Sequence, residues 1–286
     1  MQDAKGAYVF SAFNHAFSRY ILELRFTTFD NLKPDPSLPY HAEVKPGPNK
    51  LFSLYPVNAN DPVKFIYSID FHKGCLHQQA DTNFTYLLPI SPGKETQVYE
   101  MTNPDKPAAG GGQLNNWYVL RLKMRPGDTI YASRKGIVTD VEDQDGSNDA
   151  GAASAGKENY IEIVHADCSF GHYGILRKNS ALVRPGQPVK PGQPIGLVGG
   201  DQYGRGSEIR FSVYYNQEED MQTSENIHQH YMLYVHLKCW TKKNGRGELK
   251  HGAMYTGEFP LSVLNQEMDR KSKKGKIISK KPPHHK

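Results

Sequence analysis

Histidines and carboxylates of types that do chemistry gather in the second half of this chain. His165 and His172 flank the passage IVHADCSFGHYG, and His228, His230 and His236 fall at alternate positions of IHQHYMLYVHL. Alternate residues of a strand lie side by side on one face, so His-x-His is a geometry that can ligate a metal. A zinc site needs about three N, O or S side chains converging on one point, with an open position for water. Two histidines without a third ligand in register are therefore read as structural. Those of the 228–236 run lie opposite an apolar face made by Tyr231, Leu233 and Val235, and are read as solvent-facing. A second constellation is charged: Arg121 in WYVLRLKM, and Glu208 with Arg210 in GSEIRFSV. Glu208 could hold a metal or act as a base, but one carboxylate is not a site. Arginine stays protonated at any usable pH, so Arg121 and Arg210 repel a metal. Asp143, Asp145, Asn148 and Asp149 invite a calcium reading, yet DQDGSND lacks the register of a calcium loop, with Gly at the sixth and Glu at the twelfth position. No metal and no cofactor is expected. Cys75, Cys168 and Cys239 are widely spaced without a Cys-x-x-Cys pair, which is compatible with one disulfide and one free thiol without requiring it.

The elements that must position these residues are strands. From Asn159 to Val213 short Val-, Ile- and Tyr-rich runs alternate with tight turns, and RPGQPV is followed directly by KPGQPIG. Each Pro-Gly pair marks a turn, because Pro presets φ and Gly takes φ > 0. In WYVLRLKM, Tyr118, Leu120, Leu122 and Met124 form the better core face, which turns Trp117, Val119, Arg121 and Lys123 the other way. Upstream, RYILELRFTTF sets Tyr20, Leu22, Leu24 and Phe26 against Glu23 and Arg25, the period of a half-buried strand. YHAEV, LFSLYPV, VKFIYSIDF and FTYLLPI follow at spacings that suggest an antiparallel sandwich. The expected fold is all-β. Residues 1–17 form a lead-in, 18–100 an N-terminal β-sandwich-like module, 101–113 a Pro/Gly linker and 114–215 a central β-domain. Residues 216–262 form a β-hairpin region with Asn244-Gly245 in its turn, and 263–286 a basic, disordered tail. Residues 144–158, small and Gly/Ala-rich, read as a surface loop.

Length and composition narrow the classes. The 286 residues suffice for two domains, and 17 Tyr and 12 Phe suit strands. No run of 18 apolar residues predicts a transmembrane helix, and MQDAKG has neither the charged nor the apolar region of a signal peptide. Much of the net charge of +5 sits in the tail, which could touch an anionic surface: cell-wall polymer, lipid headgroups or an acidic partner. No aromatic-basic platform accompanies it, so nucleic acid is not an expected partner.

The order of phrases, from the strand before Arg125-Pro126-Gly127 through IEIVHADCSFGHYGIL, the Gly-Gln turns and EIRFSV, resembles the lysostaphin/LytM-type zinc endopeptidases, which cut peptide cross-links in bacterial cell wall. The resemblance spans roughly Leu114 to Tyr215 and, more weakly, extends to two-domain members with an N-terminal β-module. It implies a LytM-like (duplicated hybrid motif) β-domain. It also implies where the site would lie. Aligning DTIYASRKGIV on the family's Thr-x-Val-x-Ala-x-x-x-Gly-x-Val puts Trp117 at the metal-binding His position and Arg121 at the metal-binding Asp position. Ile175 takes the catalytic His position, and Glu208 and Arg210 take the two positions of the final His-x-His. Trp117 has only an N–H donor and Ile175 nothing to offer a metal. Trp117, Arg121, Tyr173, Glu208 and Arg210 are then the candidate ligand groove, with Arg121, Glu208 and Arg210 as a charge-paired tie replacing the metal.

The resemblance implies an extracytoplasmic protein, in the periplasm or at the outer membrane of a bacterium. The reading is a pseudoenzyme that binds a peptidoglycan peptide or an envelope protein in its groove. Alternatives are a subunit or activator within an outer-membrane, secretion or cell-wall-remodelling complex, and an active zinc endopeptidase with a site relocated to His165, His172, Glu208 or the 228–236 histidines.

Overall fold

The computed structural model describes residues 6–34, 38–76, 78–101, 116–144, 158–200, 206–220 and 228–267. It is built almost wholly of strands. The N-terminal part contributes β1 (Tyr8–Asn14), β2 (Tyr20–Asp30), β3 (Leu32–Pro34), β4 (Tyr40–Val44), β5 (Gly47–Pro56) and β6 (Lys64–Lys73). They form two antiparallel three-stranded sheets, β1-β5-β3 and β4-β2-β6. Their inner faces meet in an aromatic core: Phe10 stacks on Phe52 at 4.7 Å and meets Phe26 edge-on at 5.8 Å, while Tyr40 packs on Phe52 at 4.4 Å. Leu24 and Leu54 are fully buried between the sheets. The sandwich holds four of the five expected strands; β1 and β3 are additional, and FTYLLPI lies in the larger core. The lead-in expected over 1–17 contains β1, whose alternating Tyr8, Phe10 and Ala12 pack on that core. The solvent side expected for β2 also differs, because Glu23 is only 2% exposed. β2 is the middle strand of its sheet, and the Glu23 carboxylate is taken up by Arg25 beside His41.

The larger core belongs to β7 (Thr85–Leu87), β8 (Glu95–Met101), β9 (Val119–Lys123), β10 (Thr129–Tyr131), β11 (Gly136–Glu142), β12 (Tyr160–Val164), β13 (Phe170–Gly174), β14 (Pro188–Val189), β15 (Pro194–Leu197) and β16 (Glu208–Asp220). Joining them are β17 (His228–Tyr234), β18 (Lys238–Thr241), β19 (Gly245–Glu248), β20 (Met254–Thr256) and the single-turn helix α1 (Leu261–Leu264). The main sheet runs β14-β11-β12-β13-β16-β9-β8-β20, with β17 paired to β16. Tyr118, Leu120, Leu122 and Met124 are buried on its inner face, as their alternation requires. Domain boundaries shift from expectation here. β8 pairs with β9, and Phe84, Tyr86, Leu88, Ile90 and Val98 all lie in the larger core, so residues from about Phe84 onward belong with the central sheet and not with the sandwich. The expected linker lies outside the described residues apart from Met101, which ends β8.

The twin Pro-Gly turns repeat one device. In each, a backbone N–H donates to the carbonyl three residues back: Gln187 to Arg184, and Gln193 to Lys190, both at 3.1 Å. Gly186 and Gly192 take φ +85° and +75°, as the third position of a type II turn demands. Each glutamine's Oε1 accepts from the backbone N–H that opens its turn, at 3.2 Å.

The C-terminal region is a β16–β17 hairpin followed by a β18–β19 hairpin turning at Lys242–Asn244. β18 also pairs in parallel with β7, which locks the region onto the central domain. Glu267 pairs with the buried Arg134, so residues 263–267 depart from the expected disordered tail, and 268–286 lie outside the described residues. The sandwich is tied to the β12–β13 turn. Cys75 and Cys168 form a disulfide, Lys73 reaches Glu162 at 2.6 Å, and Gln78 Nε2 donates to the Ala166 carbonyl at 2.7 Å.

Candidate functional site

Register fixes the charged site. β16 pairs with β9 so that Arg210 stands directly opposite Arg121, and Glu208 opposite Lys123. Two facing arginines repel, and the strand period of two supplies the remedy by putting Glu208 on the same face as Arg210. Glu208 is 3% exposed. Its Oε2 accepts from Arg121 Nε at 3.1 Å and from Lys123 Nζ at 3.0 Å, and its Oε1 lies 3.7 Å from Arg210 Nε. Arg121 also lies over the Tyr99 ring at 5.5 Å. Arg210 Nη1 donates to Glu158 Oε2 at 2.8 Å, and His172 Nε2 lies 3.4 Å from Glu158 Oε1. Burial works to raise the Glu158 pKa, but His172 and Arg210 more than reverse it and hold the carboxyl below its ordinary value. Gly174 makes room for that carboxylate, since a Cβ there would come within 2.5 Å of Glu158 Oε1. Lys123 and Glu158 complete the network, and no motif in the sequence marks them.

Beside the network runs a groove of about 370 Å³. Trp117, Tyr160, Tyr214 and Tyr234 line it with Met232, and Glu158, Glu162, His172 and Arg210 supply its polar groups. Trp117 meets Tyr234 edge-on at 6.3 Å, and Tyr160 stacks on His172 at 4.9 Å. Glu162 is held by Lys73, by Thr139 Oγ1 at 2.9 Å and by Tyr214 Oη at 2.5 Å. Burial first, then the Glu162 charge, raises the Tyr214 phenol pKa, so it stays a donor.

Of the candidate groove residues, Trp117 and Arg210 line this space, while Arg121 and Glu208 lie in the adjoining ion-pair network. Tyr173 does not line it. Its ring is fully buried against Phe211 at 4.9 Å and its Oη accepts from the Ser133 N–H at 2.8 Å, because it shares the inner face of β13 with the core. Ile175 is buried as well, at φ +67°, a conformation β-branched residues rarely adopt. The histidines whose side chains are described do not converge. His165 is buried, its Nδ1 donates to the Lys135 carbonyl at 2.9 Å, and burial together with Arg134 lowers its pKa to about 3. His236 lies past the end of β17, against Tyr118 at 4.5 Å, so it does not continue the strand alternation of the 228–230 pair. The side chains of His228 and His230 lie outside the described residues. So do residues 145–157 of the calcium reading. Asp143 is described, and its Oδ2 accepts from the Ala181 N–H at 3.1 Å.

The donor set does not fit zinc. Where the resemblance expects two metal ligands stand Arg121 and Arg210, and the one carboxylate between them has its oxygens engaged by three cations. Among the described residues no three His, Cys, Asp or Glu side chains are grouped as a metal would need.

Trp117, Arg121, Ile175, Glu208 and Arg210 lie within one recognisable stretch. Residues 115–222 match peptidase family M23. The match covers less than half of the chain, and the fold there is M23-like. Among solved structures, the catalytic domain of the prophage-encoded M23 protein EnpA of Enterococcus faecalis, in a mutant form, is 21% identical, with 41% of this chain and 81% of that chain covered and a TM-score of 0.29. The catalytic domain of lysostaphin from Staphylococcus simulans is 19% identical, covering 42% and 78%, with a TM-score of 0.29. Csd3 of Helicobacter pylori is 12% identical, covering 96% and 73%, with a TM-score of 0.31. No curated protein matches the chain.

Proposed function

We propose that this chain is a peptidase-like binding protein of the cell envelope that does not hydrolyse, its groove holding a cell-wall peptide or an envelope protein. The observation that carries the reading is the Glu208 carboxylate, engaged by Arg121, Lys123 and Arg210 at the centre of the M23-like sheet. A metal-activated water requires a cation at that point with donors around it. Here the centre is an anion and the surround is cationic. The Trp117-to-Tyr234 groove offers aromatic faces and fixed hydrogen-bonding groups, which suit recognition of an extended chain. The Cys75–Cys168 disulfide supports an oxidising, extracytoplasmic setting. The test is to dialyse the purified chain against zinc, measure metal per chain, assay cleavage of purified sacculi, and measure co-sedimentation with them. The reading expects no stoichiometric zinc, no cleavage, and pelleting that Trp117→Ala weakens. Chelator-sensitive cleavage overturns it. A second reading, a subunit of a larger envelope assembly, is favoured by the exposed apolar residues of β6, Ile66, Ile69 and Phe71. Migration in a defined complex without affinity for sacculi would select it.

A further inference from the structure

β6 is an edge of its sheet, ten residues long, and among the described residues no strand pairs with its outer side. Ile66, Tyr67, Ile69 and Phe71 along it are 53%, 43%, 47% and 69% exposed. A long, apolar, uncovered edge is a template for another strand, and natural edges ordinarily blunt it with charge, proline or a bulge. The outer backbone groups can be assigned. The Ile66 carbonyl accepts from Thr27 Oγ1 on the neighbouring β2 at 3.5 Å, and the Lys73 carbonyl accepts from Asn216 on the central domain. By strand alternation the odd-numbered members, Phe65, Tyr67, Ile69 and Phe71, turn their N–H and C=O groups outward.

We infer that two copies of this chain pair edge to edge through β6, antiparallel about Tyr67, to form one continuous six-stranded sheet. A two-fold interface must be self-complementary. With Tyr67 opposite its own copy, Phe65 faces the partner's Ile69 and Val63, just before the strand, faces the partner's Phe71, which covers Tyr67, Ile69 and Phe71, while Ile66 on the other face stands opposite the partner's Ser68. In the same register, exposed Lys64 faces the partner's Asp70, and the two-fold axis makes that ion pair twice. Moving the register by two residues either way sets Lys64 against Ser68 or His72 and loses both pairs. Moving it by one breaks the alternation of outward backbone groups. The charge pattern of this one strand therefore selects a second copy; no groove residue takes part, so the inference stands apart from the groove binding proposed above, while it gives the exposed β6 residues that favour the second reading a copy of this chain as their partner.

The test is sedimentation velocity on the full chain over a wide concentration range at low salt. The wild-type chain is expected to dimerise reversibly. Asp70→Lys sets lysine opposite lysine twice and is expected to raise the dimer Kd roughly tenfold or more, since like charges directly opposite destabilise a strand pair. Lys64→Asp does the same, and the double reversal Lys64→Asp/Asp70→Lys restores wild-type association. Both positions are exposed, and far-UV circular dichroism checks that each variant folds. A chain monomeric at every concentration overturns the inference. So does a dimer indifferent to both single reversals, or a double reversal that fails to restore it.

Discussion

Glu208→Gln removes one charge and almost no volume from the centre of the M23-like sheet. The side chain is 4% exposed, while Arg121, Lys123 and Arg210 around it are 17%, 30% and 18% exposed. At contacts of 3.0–3.7 Å the gross attraction to each cation is about 5 kcal/mol at an effective dielectric near 20. Most of that is offset by desolvation, so the measured quantity is the cost of leaving cations unpaired. For a fully buried pair that cost is about 3–5 kcal/mol. The three cations here are partly hydrated and Arg210 keeps Glu158, so the expected loss is about 2–3 kcal/mol. Urea unfolding followed by circular dichroism at neutral pH reads it as a lower midpoint at unchanged slope. Adding Lys123→Met to Glu208→Gln relieves one unpaired charge and should recover part of the loss, which a double-mutant cycle resolves. A loss below about 0.5 kcal/mol, within the range of ordinary surface changes, would refute the view of Glu208 as the tie of this sheet.

Cys75→Ser/Cys168→Ser opens a loop closed across 93 residues, and is expected to cost about 3–4 kcal/mol in the same unfolding assay, with an unchanged native spectrum. His165 supplies a pH signature: the unfolded side chain protonates near 6.5 while the folded one stays neutral to about 3, so stability is full above pH 6.5 and is lost as pH falls toward 3. At pH 4.5 that loss is about 2–3 kcal/mol, and His165→Gln should flatten the profile in that window. Arg134→Met leaves Asp167 and Glu267 without their shared cation and removes the guanidinium from the Phe84 face, 3.7 Å away. The expected outcome is about 3 kcal/mol of destabilisation and faster hydrogen exchange over 261–267; unchanged exchange there would show that Arg134 does not anchor the segment.

Local pattern carries much of this structure in plain view. The alternation Tyr118, Leu120, Leu122, Met124 against Trp117, Arg121, Lys123 reads directly as a core face and a groove face, because the strand period is two. The Pro-Gly-Gln turns are equally legible, since each dictates a backbone conformation that only Gly adopts easily. β1 is legible too, in the alternation of Tyr8, Phe10 and Ala12, but a flanking run of small and polar residues masks it. What local pattern cannot give is pairing across distance. The Glu208–Lys123 contact depends on the register of strands 85 residues apart, and the Arg134–Glu267 pair on residues separated by 133. The split expected at residue 100 fails for the same reason: a Pro/Gly-rich stretch marks a long loop, and whether the flanking strands share a sheet is decided by β8 pairing with β9. Tyr173 differs from expectation by one step of the alternation, a slip that moves a side chain from groove to core.

The charge balance of the site bears on what a groove without zinc could still do. Zinc held by two neutral histidines and a carboxylate carries one net positive charge. Arg121, Lys123 and Arg210 set against Glu208 and Glu158 also leave one positive charge. Under the proposed reading, an approaching peptide carbonyl or carboxylate therefore meets a field of the same sign that a metal would create. What it does not meet is an open coordination position, because guanidinium and ammonium groups donate hydrogen bonds and accept no lone pair. Nor does it meet a metal-bound water whose pKa has been brought down to a usable range. Attraction to the ligand and activation of water, joined in one ion in a metallopeptidase, are separable here. Under the proposed reading, the charges of Arg121, Lys123 and Arg210 serve the first and leave the second unserved.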